Sequence, residues 1–102
     1  MKVINLDCRT WQTPLDFYEA MLKALQAPAW HGQSVAALCD SMIGGGINGL
    51  EPPYVIRIRG IGSLPSDVRE HVERMARTIT KDWRTHRRWY RKTVDAYLEL
   101  RP

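Results

Sequence analysis

Tyr54-Val55-Ile56-Arg57-Ile58-Arg59 is the stretch on which the fold turns. Tyr54, Ile56 and Ile58 alternate with Arg57 and Arg59. In an extended chain, successive side chains point to opposite faces, so this segment predicts a strand with one covered face and one polar face. The residues before it keep it separate from any preceding helix: Gly44-Gly45-Gly46, then Asn48-Gly49, then Pro52-Pro53 read as helix stop and loop. Gly60-Ile61-Gly62 follows it. Pro65 stands where a dinucleotide fingerprint needs its third glycine, so these glycines read as a turn.

Upstream, Ser34 is placed to cap a helix whose Val35, Leu38, Cys39 and Met42 fall at i, i+3, i+4 and i+7. Ala36 and Asp40 then share its opposite face. Earlier still, Thr13-Pro14-Leu15-Asp16 combines a threonine cap, proline in the first turn and an acid that completes a capping box. The helix it starts is expected to bury a stripe of Leu15, Tyr18, Met21, Leu22 and Leu25 and to stop at Pro28. Val3, Ile4 and Leu6 read as a buried first strand.

Downstream, Val68, Val72, Met75, Ala76, Ile79 and Trp83 keep helical spacing after Pro65-Ser66-Asp67, and the pattern can be carried on through Arg87 and Tyr90. Ala96 to Leu100 reads as a closing strand. The order β-α-α-β-α-β predicts an α/β fold, a small three-stranded parallel sheet with its helices packed on one face and right-handed crossovers.

The chain has 102 residues, of which 44% are hydrophobic and 25% charged, so it is expected to form one domain spanning residues 1–102 rather than a disordered tail or several units. Its apolar runs are far shorter than the ~20 residues of a membrane helix. No long apolar segment follows Met1, so the expected compartment is the cytoplasm. Cys8 and Cys39 are too few for a disulfide framework and are expected to be free thiols; no metal-binding spacing is present, and no cofactor is expected. Charge is unevenly spread. Residues 1–54 carry three Lys or Arg against five acids, a net of −2, and residues 55–102 carry twelve against six, a net of +6. An acidic first half suits a cationic partner, and a basic second half suits an acidic one.

Trp30-His31-Gly32, followed by a helix that shows Asp40 above Leu38 and Cys39 and closes at Gly44, resembles the segment that defines the barstar family of ribonuclease inhibitors. Pro28, the leucine-rich first helix and the strand after the two prolines fit the same pattern. The resemblance implies that loop and helix plug a ribonuclease active site, with carboxylates standing where RNA phosphates would lie. It implies a protein partner, a ribonuclease or related toxin, and the role of a monomeric immunity-type inhibitor rather than an enzyme with catalytic residues. The residues it assigns to the partner contact are Trp30, His31, Gly32, Ser34, Ala36, Asp40 and Gly44. Three positions depart from the family pattern: Ala36 replaces a second helix acid, Cys39 a tryptophan and Gly45 another. The family's further acid on the last long helix has Glu70 and Glu73 as its candidates here.

Two other readings compete. Lys81 to Lys92 interleaves cations with aromatics, which suits RNA binding through Arg84, Arg87, Arg88, Trp89, Arg91 and Lys92. A solvated basic helix produces the same pattern. His71, His86, Glu70, Glu73 and Asp82 can be assembled into an acid/base set, but no nucleophile motif accompanies them.

Overall fold

The computed structural model describes residues 1–89 and 95–102, with side chains for 1–86 and 95–102. The elements run β1 (Lys2–Asp7), α1 (Pro14–Ala24), α2 (Val35–Gly44), β2 (Tyr54–Arg59), a short 3-10 helix (Ile61–Ser63), α3 (Ser66–Trp89) and β3 (Ala96–Arg101). The three strands form one parallel sheet in the order β1-β2-β3. This is the expected α/β architecture.

Register explains which residues make the core. Ile4 pairs with Ile56 and Ile56 with Leu98, while Leu6, Ile58 and Leu100 form the next row. These side chains share one face, and the helices lay Phe17, Met21, Leu25, Leu38, Met42, Val72 and Ile79 into the same apolar cluster. The other face carries a row of Val3, Val55 and Tyr97 and is polar beyond it: Arg57 meets Glu99 at 3.4 Å, the Arg59 Nε donates to Asn5 at 3.2 Å, and Arg101 also pairs with Glu99. β1 is less buried than its sequence suggests: Val3, 43% exposed, points to the face away from the helices, and Ile4 and Leu6 on the covered face are only half-buried because β1 lies at the sheet's edge.

The start of α1 follows the sequence closely. Asp16 at its third position accepts from the backbone N–H groups of Gln12 (2.7 Å) and Thr13 (3.0 Å), closing the capping box. Its buried stripe, however, is Phe17, Met21 and Leu25 rather than one beginning at Leu15, which is 47% exposed; Tyr18 and Leu22 flank the stripe. The helix also stops before Pro28. Gln26 turns left-handed (φ 54°), and the incoming loop seats Gly49 against it, where a Cβ would stand 2.8 Å from the Gln26 Oε1. The Gly49 N–H donates to the Gln26 carbonyl at 2.9 Å, so the α1 end and the loop before β2 are built together.

Both backbone contacts hold the Asp16 carboxyl below its ordinary range, and the Arg9 guanidinium, with the Arg9 N–H, lowers Asp7 from 3.8 to about 2. Acids depressed in the folded chain contribute stability that is present above their unfolded values and lost as pH falls through the folded ones. Urea midpoints are therefore expected to fall between about pH 4 and pH 2. In Asp16→Asn that acid-limb slope should be shallower.

Cys8 and Cys39 are free and buried, as expected. Among the described residues no helix is long and apolar enough to cross a membrane.

Candidate functional site

The residues singled out between Trp30 and Gly44 occupy α2 and the loop that feeds it. Ser34 caps the helix by accepting from the Ala37 N–H at 3.0 Å. At the other end Gly45 adopts φ 70° and ψ 177°, an extended positive-φ conformation suited to glycine, and returns its N–H to the Ser41 carbonyl at 3.2 Å. Between these stops the helix buries Leu38, Cys39, Ser41, Met42 and Ile43. Ala36, Asp40 and Gly44, spaced by four, form one exposed ridge. Beyond its chain neighbours and the helix's own backbone, nothing lies within 4 Å of where a Gly44 side chain would begin, so the ridge ends on an open spot.

Trp30 and His31, adjacent in sequence, divide into two jobs. Trp30 is 73% exposed and does not cover the core. A large exposed aromatic on the loop that feeds a helix bearing an exposed acid is the composition of an interface hot spot. His31 is 8% exposed and points inward. Its Nδ1 lies 2.8 Å from the Gly32 carbonyl, which can only accept, so Nδ1 donates there; Nε2 lies 2.7 Å from the Ser41 hydroxyl, which also reaches the Leu38 carbonyl at 3.3 Å. His31 thus ties the loop carrying Trp30 and Gly32 to the buried side of α2. His31→Ala removes the side-chain tie between the loop and α2, leaves the Ser41 hydroxyl only its Leu38 carbonyl and opens a hole, and is expected to lower folding stability by about 1–3 kcal/mol in urea denaturation. A loss below ~0.5 kcal/mol is expected only if the pair contributes nothing.

The charge on this surface is richer than one acid. Burial first, and then the negative charge and hydrogen bonding of Asp82 together with the charge of Asp40, push the Cys39 thiol up to about 12. Asp82, on α3, is therefore brought against α2 beside Cys39, with both carboxylates exposed. It had no assigned place in the partner contact. Its signal was present all the same: Met75, Ile79, Asp82 and His86 continue the spacing of the inward stripe of α3, and an acid on an apolar stripe has a neighbour to explain it. Glu70 instead pairs with Arg74 one turn along the same helix (3.2 Å). Glu73 lines a groove beside β3, on the opposite side of α3 from Asp82.

That division disperses the acid/base set, since Glu73 and Asp82 face away from each other and His71 is exposed. Among the described residues no group of three or more His, Cys, Asp or Glu side chains gathers to hold a metal ion. Of the basic segment, Arg84 is exposed, and the Trp83 ring lies on Tyr97 with centroids 4.8 Å apart rather than standing free to stack on a base. The side chains of Arg87, Arg88 and Trp89, and all of Arg91 and Lys92, lie outside the described residues.

Compared with known proteins, the chain matches the model of a family described as barstar (barnase inhibitor) over residues 1–101. The match runs past the first sixty residues, where the motifs are densest, to include α3 and β3. No curated protein matches the chain.

Proposed function

Because the chain belongs to the barstar family, we propose that it inhibits a ribonuclease, or a toxin with a similar cationic cleft, by seating the loop and helix from Trp30 to Gly44 in the active site. The observation that carries this reading is the exposed ridge of Ala36, Asp40 and Gly44, with an exposed Trp30 on the loop that feeds it, on a helix tied from beneath through His31 and Ser41. A cleft that cleaves RNA must hold phosphates among Arg, Lys and His. A carboxylate on a rigid helix occupies such a position without offering a scissile bond, so binding blocks the reaction.

Each residue has a part in that mechanism. Asp40 supplies the central negative charge, and Asp82 supplies from α3 the second charge that position 36 lacks. Trp30 gives apolar area at the margin, excluding water and so strengthening the charge pairs behind it. Gly32, Ala36 and Gly44 keep the surface low enough for the cleft walls to close on the helix. Ser34 and His31 hold the geometry before the partner arrives, so little ordering entropy is lost on binding. The chain itself performs no catalysis. It acts as a monomeric immunity-type protein inside the cell that makes or meets the ribonuclease.

A competition experiment tests the location. A barnase-type ribonuclease whose active site is filled by a nucleotide is expected to lose affinity for this chain in proportion to occupancy. Undiminished binding to the filled enzyme rejects active-site occlusion.

A further inference from the structure

On the side of α3 away from Asp82 runs a groove of about 1050 Å³ between that helix and β3. Its floor is aliphatic, made by Ile61, Ala76, Leu98 and Leu100, and its rim is cationic, made by Arg69, Arg77, Lys81, Arg84 and Arg101 with Glu73 as the one acid among the described lining residues. We propose that this groove binds an acidic extended peptide, which adds to β3 as a fourth strand.

The strand edge is the first argument. β3 is the outer strand of the sheet, paired on one side with β2. The carbonyls of Asp95 and Arg101 both accept from the β2 side, from Tyr54 (2.8 Å) and Gly60 (3.2 Å). In a parallel ladder, residues two apart along a strand aim their backbone groups the same way, so Tyr97 and Glu99 also face β2. Ala96, Leu98 and Leu100 then turn their N–H and C=O groups outward, along the edge where the groove runs. A row of outward donors and acceptors is a template for another strand.

Charge selects the occupant. Another copy of β3 would bring the same cations to the same edge and be repelled, whereas an acidic segment is attracted. The rim thus guards the edge against self-pairing while admitting one class of chain. Single-stranded RNA would also meet the cations, but it gains much of its affinity by stacking on aromatic rings. Among the described residues no aromatic side chain lines the groove, and its floor is aliphatic. Aliphatic side chains among the acids of a peptide match that floor. Because this surface and Asp82 lie on opposite sides of α3, such a peptide and a ribonuclease occupy separate places on the molecule.

The test uses the full chain and three labelled probes: an octapeptide alternating glutamate and valine, its lysine and valine counterpart, and an oligouridylate of matched charge. The glutamate peptide is expected to bind, and the lysine peptide not to. The double variant Arg77→Glu with Arg84→Glu, both exposed helix positions, is expected to lose affinity by at least about tenfold, with an unchanged melting curve showing that the fold is kept. Amide exchange at Leu98 and Leu100 should slow by at least about tenfold when the glutamate peptide is present, as new ladder bonds require. The proposal is overturned if the glutamate peptide fails to bind at millimolar concentration, if the lysine peptide or the oligouridylate binds more tightly, or if binding leaves those two amides unprotected. Ribonuclease binding is measured on the same double variant; it should be retained, so failure of one reading is distinguishable from failure of the other.

Discussion

Asp40→Ala is expected to weaken binding to a barnase-type ribonuclease by at least about 2 kcal/mol, roughly thirtyfold in Kd, a size that itself draws on the type complex of this family. The carboxylate stands at the middle of the exposed ridge, flanked one turn away by Ala36 and Gly44, neither of which carries charge. Removing it leaves the cationic cleft of the partner desolvated and uncompensated, which costs more than the lost contact itself. Folding should hardly change, because an exposed helix acid contributes only a few tenths of a kcal/mol. Asp82→Asn is expected to act in the same direction but by less, since it sits at the side of the ridge. Equal affinity of Asp40→Ala and parent, by calorimetric titration, removes α2 from the interface.

Phe17→Ala should have the opposite profile, a large loss of stability with no direct effect on partner contacts. Phe17 is fully buried, edge-on to Trp11 (centroids 6.0 Å apart) and to Tyr18 (5.5 Å). Truncating such a ring removes its transfer energy and leaves a cavity that a close-packed interior fills only partly, about 3–5 kcal/mol in all. Against a total near ~5–15 kcal/mol for a domain of this size, that is a substantial fraction. Urea denaturation measures it, and a cost under ~1 kcal/mol contradicts the packing described for α1.

The contrast between α1 and α2 shows what local sequence can specify. Caps are local, made by residues three or four apart, and Thr13 with Asp16 and Ser34 with Ala37 are placed as their spacing requires. The inward stripe of α2 was legible because Leu38, Cys39 and Met42 leave no competing face. In α1 two overlapping stripes exist, one through Leu15 and one through Phe17, and only packing against α3 and the sheet selects the second. The stop of α1 depended on Gly49, twenty-three residues beyond Gln26, and so was hidden from any reading of the helix alone.

The site divides in the same way. Asp40 and the exposed ridge follow from helical periodicity. The inward turn of His31 does not, because it depends on Ser41 arriving from the next turns of α2 with a hydroxyl at the right height. Asp82 reaches Cys39 only through the docking of α3 on α2, and the groove beside β3 needs the alignment of a helix and a strand that are separate in sequence. These are tertiary facts: spacing within α3 places Asp82 on the inward stripe, but it does not name the neighbour that α3 meets there.

The most direct measurement is a titration of the chain into a barnase-type ribonuclease while RNA cleavage is followed at low salt. Cleavage is expected to fall linearly and to vanish at one molecule of inhibitor per enzyme. Full cleavage in the presence of a molar excess of the chain contradicts the reading of the Trp30 to Gly44 surface as an active-site plug.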